Sequence, residues 1–455
     1  MNKGLTKDLT TENVFRTLLS FSLPYFLSYF LQTLYGMADL YIVGQFNAVE
    51  STTAVSIGSQ IMHMITVMIV GLAMGTTVSI GHETGAKNEK QVLVTIGNTV
   101  TLFLSLSVTA AVVLTLCICP IVAAMSTPAE AVNSTISYLT ICFIGIPFIT
   151  AYNIISSVFR GMGDSKSPMY FIAVACISNI VLDYIFIGRL GMGAAGAALG
   201  TTLAQTVSVA AALFRIRTDS GMRHIRLASG DLKPKRAVMG KLLSIGVPVA
   251  LQDGFIQISF LLITVIANKR GLFDAAAVGV VEKIIGILFL VPSSLLSSVS
   301  ALAAQNIGAG KKERAKQTLK YAMITAVVFG TVSALFMQFN AEPVVGIFRS
   351  EPEVVRLGGQ YLRGYVWDCV FAGVHFCFSG YFCACGKSGI SFLHNAIAIV
   401  CARIPLAYLA SKLFAETLFP MGLATVTGSA VSVVICVIAY LLIEKRKAHV
   451  YQVRI

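Results

Sequence analysis

Apolar runs of about 20 residues, each with few or no charges, recur along this chain, and a helix needs a run of that length to cross a hydrocarbon layer about 30 Å thick. We read twelve of them, centred near residues 30, 67, 106, 145, 177, 205, 254, 288, 327, 368, 399 and 431. With no water in that layer, each span must satisfy its own backbone hydrogen bonds. The reading is therefore an all-α polytopic membrane protein of twelve transmembrane helices. Charged residues make up 12% and apolar ones 56% of the 455 residues, against about 25% charged in soluble proteins. That leaves too few polar side chains to clothe a globule and excludes a soluble enzyme. A fibrous or disordered chain is excluded too, since the 38 Gly and 12 Pro follow no fixed period. The first run follows a polar segment, Met1 to Arg16, and continues to about Val43, longer than the apolar region of a secretion signal.

The net charge of +13 would suggest nucleic acid if the basic residues formed one patch, but they fall in particular connections between runs. With the N-terminus inside, 25 Lys and Arg lie in inside connections, 7 in outside ones, and Lys283 and Arg403 within spans. Basic connections are retained on the cytoplasmic side, so both termini are expected there, in a plasma or bacterial inner membrane, with no nucleic-acid partner. The ten cysteines sit mostly in apolar stretches and read as small hydrophobes. Cys383 and Cys385 lack a second Cys/His pair at metal spacing.

The two halves align on each other. Leu-Ser-Phe-Ser-Leu-Pro ending at Pro24 recurs as Leu-Ser-Ile-Gly-Val-Pro ending at Pro248, Gly85 recurs as Gly308, Pro120 as Pro343, Tyr138 as Tyr361, Phe159 as Phe382 and Gly163 as Gly386, always 223 or 224 residues on. Each half holds six spans, an even number, so both enter the membrane in the same direction. The expected organisation is a first lobe at 1–218, a linker at 219–240 and a second lobe at 241–455. Parallel repeats of this kind suit alternating access, with substrate held between the halves.

Histidines aside, seven ionisable residues lie inside the spans: Asp39, Asp183, Asp253, Glu282, Lys283, Asp368 and Arg403. Each must face a cavity or a partner, because a charge in hydrocarbon is costly. Asp39 on span 1 and Asp183 on span 5 are expected at similar depth, roughly 6 to 8 Å below the outer boundary. Asn179 shares the face of Asp183, one turn earlier, and Thr201 on span 6 falls at a comparable level. Two carboxylates, an amide and a hydroxyl suit Na⁺ or a shared proton, since both carboxylates cannot ionise cheaply side by side. Pro24 gives span 1 a place to bend. In the second half, Asp368 and Arg403 offer partners of opposite sign to Glu282 and Lys283, as a salt-bridge cluster or as a substrate site. His375 shares the face of Asp368. Tyr35 and Asn153 join Glu282, Lys283, Asp368 and Arg403 as candidates for substrate contact or helix packing.

Two motifs fail. Gly191 to Gly196 fits the dinucleotide pattern but joins two spans with no strand before it, and Gly380 to Ser388 has one residue too many for a phosphate-binding loop. With no ATPase motif, the energy source is expected to be an ion gradient, worth about 2.3 kcal/mol per charge per 100 mV.

The run Gly36-Met-Ala-Asp39-Leu-Tyr-Ile-Val-Gly44, the loops Gly85-Ala-Lys87 and Gly308-Ala-Gly310, the segment Phe159-Arg-Gly-Met-Gly-Asp-Ser165 and Gly191 to Gly196 together resemble the multidrug and toxic compound extrusion (MATE) family, over essentially the whole chain. The resemblance implies a twelve-helix, two-lobe exporter exchanging Na⁺ or H⁺ for organic, often cationic, compounds. Asp39, Asn179, Asp183 and Thr201 match the first-lobe ion site of the family's DinF branch, where bending at a proline like Pro24 is implied. Span 7 reads Gln252-Asp253 and lacks the glutamate of the NorM and eukaryotic branches, while Asp368 resembles the NorM span 10 aspartate. The expected function is secondary active efflux of small amphipathic cations by a monomer without organic cofactor. A lipid-linked saccharide flippase of the same superfamily and a non-transporting receptor or structural protein are the alternatives.

Overall fold

A computed structural model describes residues 8–46, 49–218 and 228–452, with side chains as far as Lys445. Every regular element among them is helical. Spans 1 to 6 are Val14–Phe46, Val49–Gly85, Glu89–Leu116, Ala129–Gly161, Lys166–Arg189 and Gly193–Thr218. Spans 7 to 9 are Arg236–Asn268, Leu272–Gly308 and Lys312–Gly346. Span 10 is a pair of helices, Pro352–Tyr365 and Asp368–Ala384, bent by 42°, and spans 11 and 12 are Ser388–Leu413 and Phe419–Lys445. All twelve apolar runs fall on these helices.

The ends follow local chemistry. Asn88 caps span 3 by accepting from the Gln91 N–H at 3.2 Å, with Glu89 in the first turn. Pro352 opens span 10, where its missing N–H costs nothing. Two spans contain a stretch of π-helix, Tyr184–Arg189 in span 5 and Ile399–Arg403 in span 11.

The repeat is visible in the backbone. After span 4 the Asp164 N–H donates to the Phe159 carbonyl at 2.9 Å, with Gly163 at φ 93°. After the second helix of span 10 the Lys387 N–H donates to Phe382 at 2.8 Å, with Gly386 at φ 69°. After span 2 the Asn88 N–H reaches Glu83, and after span 8 the Lys311 N–H reaches Asn306 in the same way. The left-handed position is Gly310 in the later copy but Lys87, at φ 57°, in the earlier one, a strain of about 1–2 kcal/mol for a residue with a Cβ. The same two spans also meet reciprocally. A Cβ on Gly85 would lie 2.0 Å from the Gln305 carbonyl oxygen, and one on Gly308 would lie 2.0 Å from that of His82. Residues 82 and 305 are themselves repeat mates, so the crossing is two-fold.

By packing, the chain forms two compact units. The first runs to Ala250 and takes in Ala304–Lys312; the second holds Leu251–Ala303 and the chain from Glu313. In the first unit, span 4 packs on spans 2, 3 and 6, and span 5 packs on spans 1 and 6. Leu139, Phe143 and Ile146 of span 4 form a core with Val43, Val55, Ile187 and Ala197. Lipid is as apolar as these side chains, so close fit rather than escape from water holds such a core together. In the second unit, span 12 packs on both helices of span 10 and on span 11.

Residues 219–227 of the expected linker lie outside the described residues, as do Lys3, Lys7, Arg223, Arg226 and Arg454. The rest of the linker is pinned to span 3: Asn98 accepts from the Lys235 N–H at 2.6 Å and Thr101 donates to the Leu232 carbonyl at 2.8 Å. Span 7 is already helical at Arg236.

Candidate functional site

Asp39 and Asp183 project from spans that run the same way through the first unit. Asp39 lies seven residues before the end of span 1 at Phe46, and Asp183 six before the end of span 5 at Arg189. Both therefore sit within about two turns of those ends. Asp39, Asn179 and Asp183 are buried and Thr201 is half-buried. Thr201 Oγ1 donates to Asp39 Oδ2 at 3.1 Å and accepts from Asn179 Nδ2 at 3.5 Å. The two carboxyl groups come within hydrogen-bonding reach of each other once one of them carries a proton. Asp39 Oδ1, Asn179 Oδ1 and both Asp183 oxygens have no donor. The sequence thus brings four oxygen-bearing side chains from three spans to one place and leaves four acceptor atoms free, which is the donor set a proton or a small hard cation takes.

Gly200, which the sequence reading passed over, makes the site possible. A Cβ there would lie 2.1 Å from Asp183 Oδ1, so only glycine lets span 6 approach the carboxylate. Tyr35, half-buried, packs on the cluster holding Tyr152, and Asn153 spends its amide N–H on the Ile149 carbonyl at 2.9 Å. Neither joins the four-residue group directly. Pro24 lies inside a continuous helix, and the hydroxyl of Ser28 donates to its carbonyl at 2.7 Å.

In the second unit the expected salt bridges are not formed. No ion pair among the described residues joins Arg403 to Asp368 or Glu282. Arg403 donates instead to the Tyr365 hydroxyl and lies over the Phe260 ring at 5.1 Å. Glu282 accepts from Thr264 at 3.1 Å, and Lys283 is exposed rather than part of any cluster. Asp368 is fully buried, with Ser429 as the side chain placed to donate to it. It stands in the first turn of the second helix of span 10, where the helix dipole favours a negative charge. It lines a cavity of about 20 Å³ with His375, Asn395, Arg403 and Ser432, room for about one water molecule. His394, which the sequence did not single out, contacts the hydroxyls of Ser379 at 2.9 Å and Ser432 at 3.2 Å. No group of three or more His, Cys, Asp or Glu that could hold a metal is found among the described residues.

Comparison with known proteins identifies the family and the fold. The family model MatE matches residues 24–185 and 248–409, once in each repeat. The probable multidrug resistance protein YpnP of Bacillus subtilis is 28% identical over 417 residues, covering 91% of this chain and 93% of that protein. A FAD transporter of Shewanella oneidensis is 24% identical over 409 residues, covering 89% of each. Among solved structures, a multidrug resistance MATE family transporter of the MOP superfamily in an outward-facing conformation superposes with a TM-score of 0.89 at 22% identity, covering 99% of both chains.

Proposed function

The chain belongs to the MatE family, whose members are transporters and not enzymes, and on that premise we propose that it exports small amphipathic cations in exchange for Na⁺ or H⁺. The observation that carries the reading is the buried pair Asp39 and Asp183 with Thr201 and Asn179 around it. Two carboxyl groups so close cannot both hold a full charge cheaply, so they share a proton until a cation displaces it. Loss of that proton on one side and its return on the other ties ion movement to cargo movement, because each state favours a different arrangement of the spans. Pro24 supplies the flexible point in span 1. The carboxyl pair favours cationic cargo over the anionic compound for which the Shewanella relative is named. The reading includes a monomeric protein, and the excess of basic residues in the inside connections supports placing both termini in the cytoplasm.

The test uses purified protein in liposomes loaded with ethidium, with a Na⁺ or a proton gradient imposed in turn. One gradient is expected to drive dye movement in the wild type, and Asp39→Asn is expected to abolish it while eluting as a folded species in detergent. Gradient-driven transport by Asp39→Asn at the wild-type rate would falsify the coupling role.

A further inference from the structure

Arg160 is not among the seven ionisable residues expected inside the spans, yet it belongs to the last turn of span 4 and is only 7% exposed. It forms no ion pair among the described residues. Its guanidinium lies over the Tyr25 ring at 4.3 Å, and its Nε has no hydrogen-bond partner. A buried cation without a counter-charge is costly, so its position calls for a function.

Polar side chains lead from it to the carboxyl pair. Along span 4, Arg160, Ser156 and Tyr152 follow each other at intervals of four and share one face. Tyr35 of span 1 packs on the cluster that holds Tyr152 and faces the amide of Gln205. Gln205 is one turn from Thr201 on span 6, and Asp39 is one turn from Tyr35 on span 1. The Gln205 Oε1 and the Arg160 Nε lack partners although their residues are buried, and between them the Tyr152 and Ser156 hydroxyls lie within reach of each other, one turn apart on span 4. From Asp39 back to Tyr25, this file covers about 21 Å of helix. Polar groups repeated at each turn within an apolar bundle, with a spare acceptor at one end and a spare donor at the other, mark a route for protons or ions.

We infer that this file is a passage for protons or small monovalent cations between the carboxyl pair and the face on which the chain begins, and that Arg160 is the barrier that shuts it. A fixed positive charge in surroundings of low dielectric repels an approaching cation, and an arginine in a narrow polar passage excludes cations for that reason. The Tyr25 ring holds the guanidinium in place without neutralising it. Such a barrier keeps ions from slipping past the carboxylates when no cargo moves. The inference rests on Asp39 and Asp183 as the coupling site.

The experiment measures passive leak in liposomes with no cargo, using a radioactive Na⁺ arm and a pH-dye arm under an imposed potential. Arg160→Gln is expected to raise the leak about tenfold in at least one arm, while Arg160→Lys stays near the wild type. Adding Tyr152→Phe to Arg160→Gln should lower the leak again by about threefold or more, because the file is interrupted. The proposal is overturned if Arg160→Gln liposomes are as tight as the wild type, or if Tyr152→Phe leaves their leak unchanged. If Arg160→Gln yields no folded protein, Tyr25→Leu is measured in its place, with a rise of about threefold expected; a tight Tyr25→Leu overturns the proposal equally. Dye export by the wild type, assayed in parallel, reports separately on the coupling reading: its absence under both gradients defeats that reading and leaves the leak result to judge Arg160.

Discussion

Opposite Asp183, span 6 carries Gly200, and a methyl group there would sit 2.1 Å from the carboxylate oxygen. The carboxylate of a Gly200→Ala protein must move, and overpacking a buried site of this kind costs about 1–3 kcal/mol. The expected outcome is a lower unfolding temperature in detergent together with loss of most gradient-driven dye movement; unchanged transport would show that the carboxylate has room to spare. Asp39 and Asp183 were legible in the sequence because a charge inside an apolar run stands out. Gly200 was not, since among Ala197, Ala198 and Leu199 it looks like one more small residue on a packing face. His394 escaped notice because its hydroxyl partners, Ser379 and Ser432, come from other spans. Arg160 does not stand out as a residue inside a span because the apolar run ends before the helix does.

At the scale of the helix, span 1 is uninterrupted through Pro24, although the ring removes one backbone hydrogen bond and crowds the preceding turn. Pro24→Ala restores that bond, and since a proline inside a helix costs about 3 kcal/mol, the variant is expected to unfold at a higher temperature. If span 1 must flex during the cycle, transport slows in the same protein. A variant both more stable and as fast as the wild type would exclude span 1 as the moving part. The number of spans was readable from run length alone, but their irregularities were not. The 42° bend before Asp368 falls at Val366 and Trp367, where no proline announces it. The π-helical stretches beside Asp183 and at Arg403 depend on backbone bonding that a 3.6-residue pattern does not encode.

Over the whole molecule, the repeat was legible because prolines and glycines recurred at one spacing, and the paired turns at Gly163 and Gly386 show that spacing as geometry. What the spacing could not show is that the two copies touch through matching residues, Gly85 on Gln305 and Gly308 on His82. Symmetry makes a quantitative prediction. Gly85→Ala and Gly308→Ala should lower thermal stability by similar amounts, and the double variant should lose less than the sum, because the first methyl already opens the crossing for the second. Melting curves of the four proteins decide it, and a silent single variant or strict additivity would defeat the symmetric account. Duplicated halves ordinarily drift apart, each free to change where the other does not. At Gly85 and Gly308 neither can: a side chain there meets the backbone of the other half, whereas His82 and Gln305, which offer only their carbonyls, have diverged. The likeness of the two copies at these two glycines is thus kept by mechanical necessity, as a hinge pin holds two leaves to one gauge.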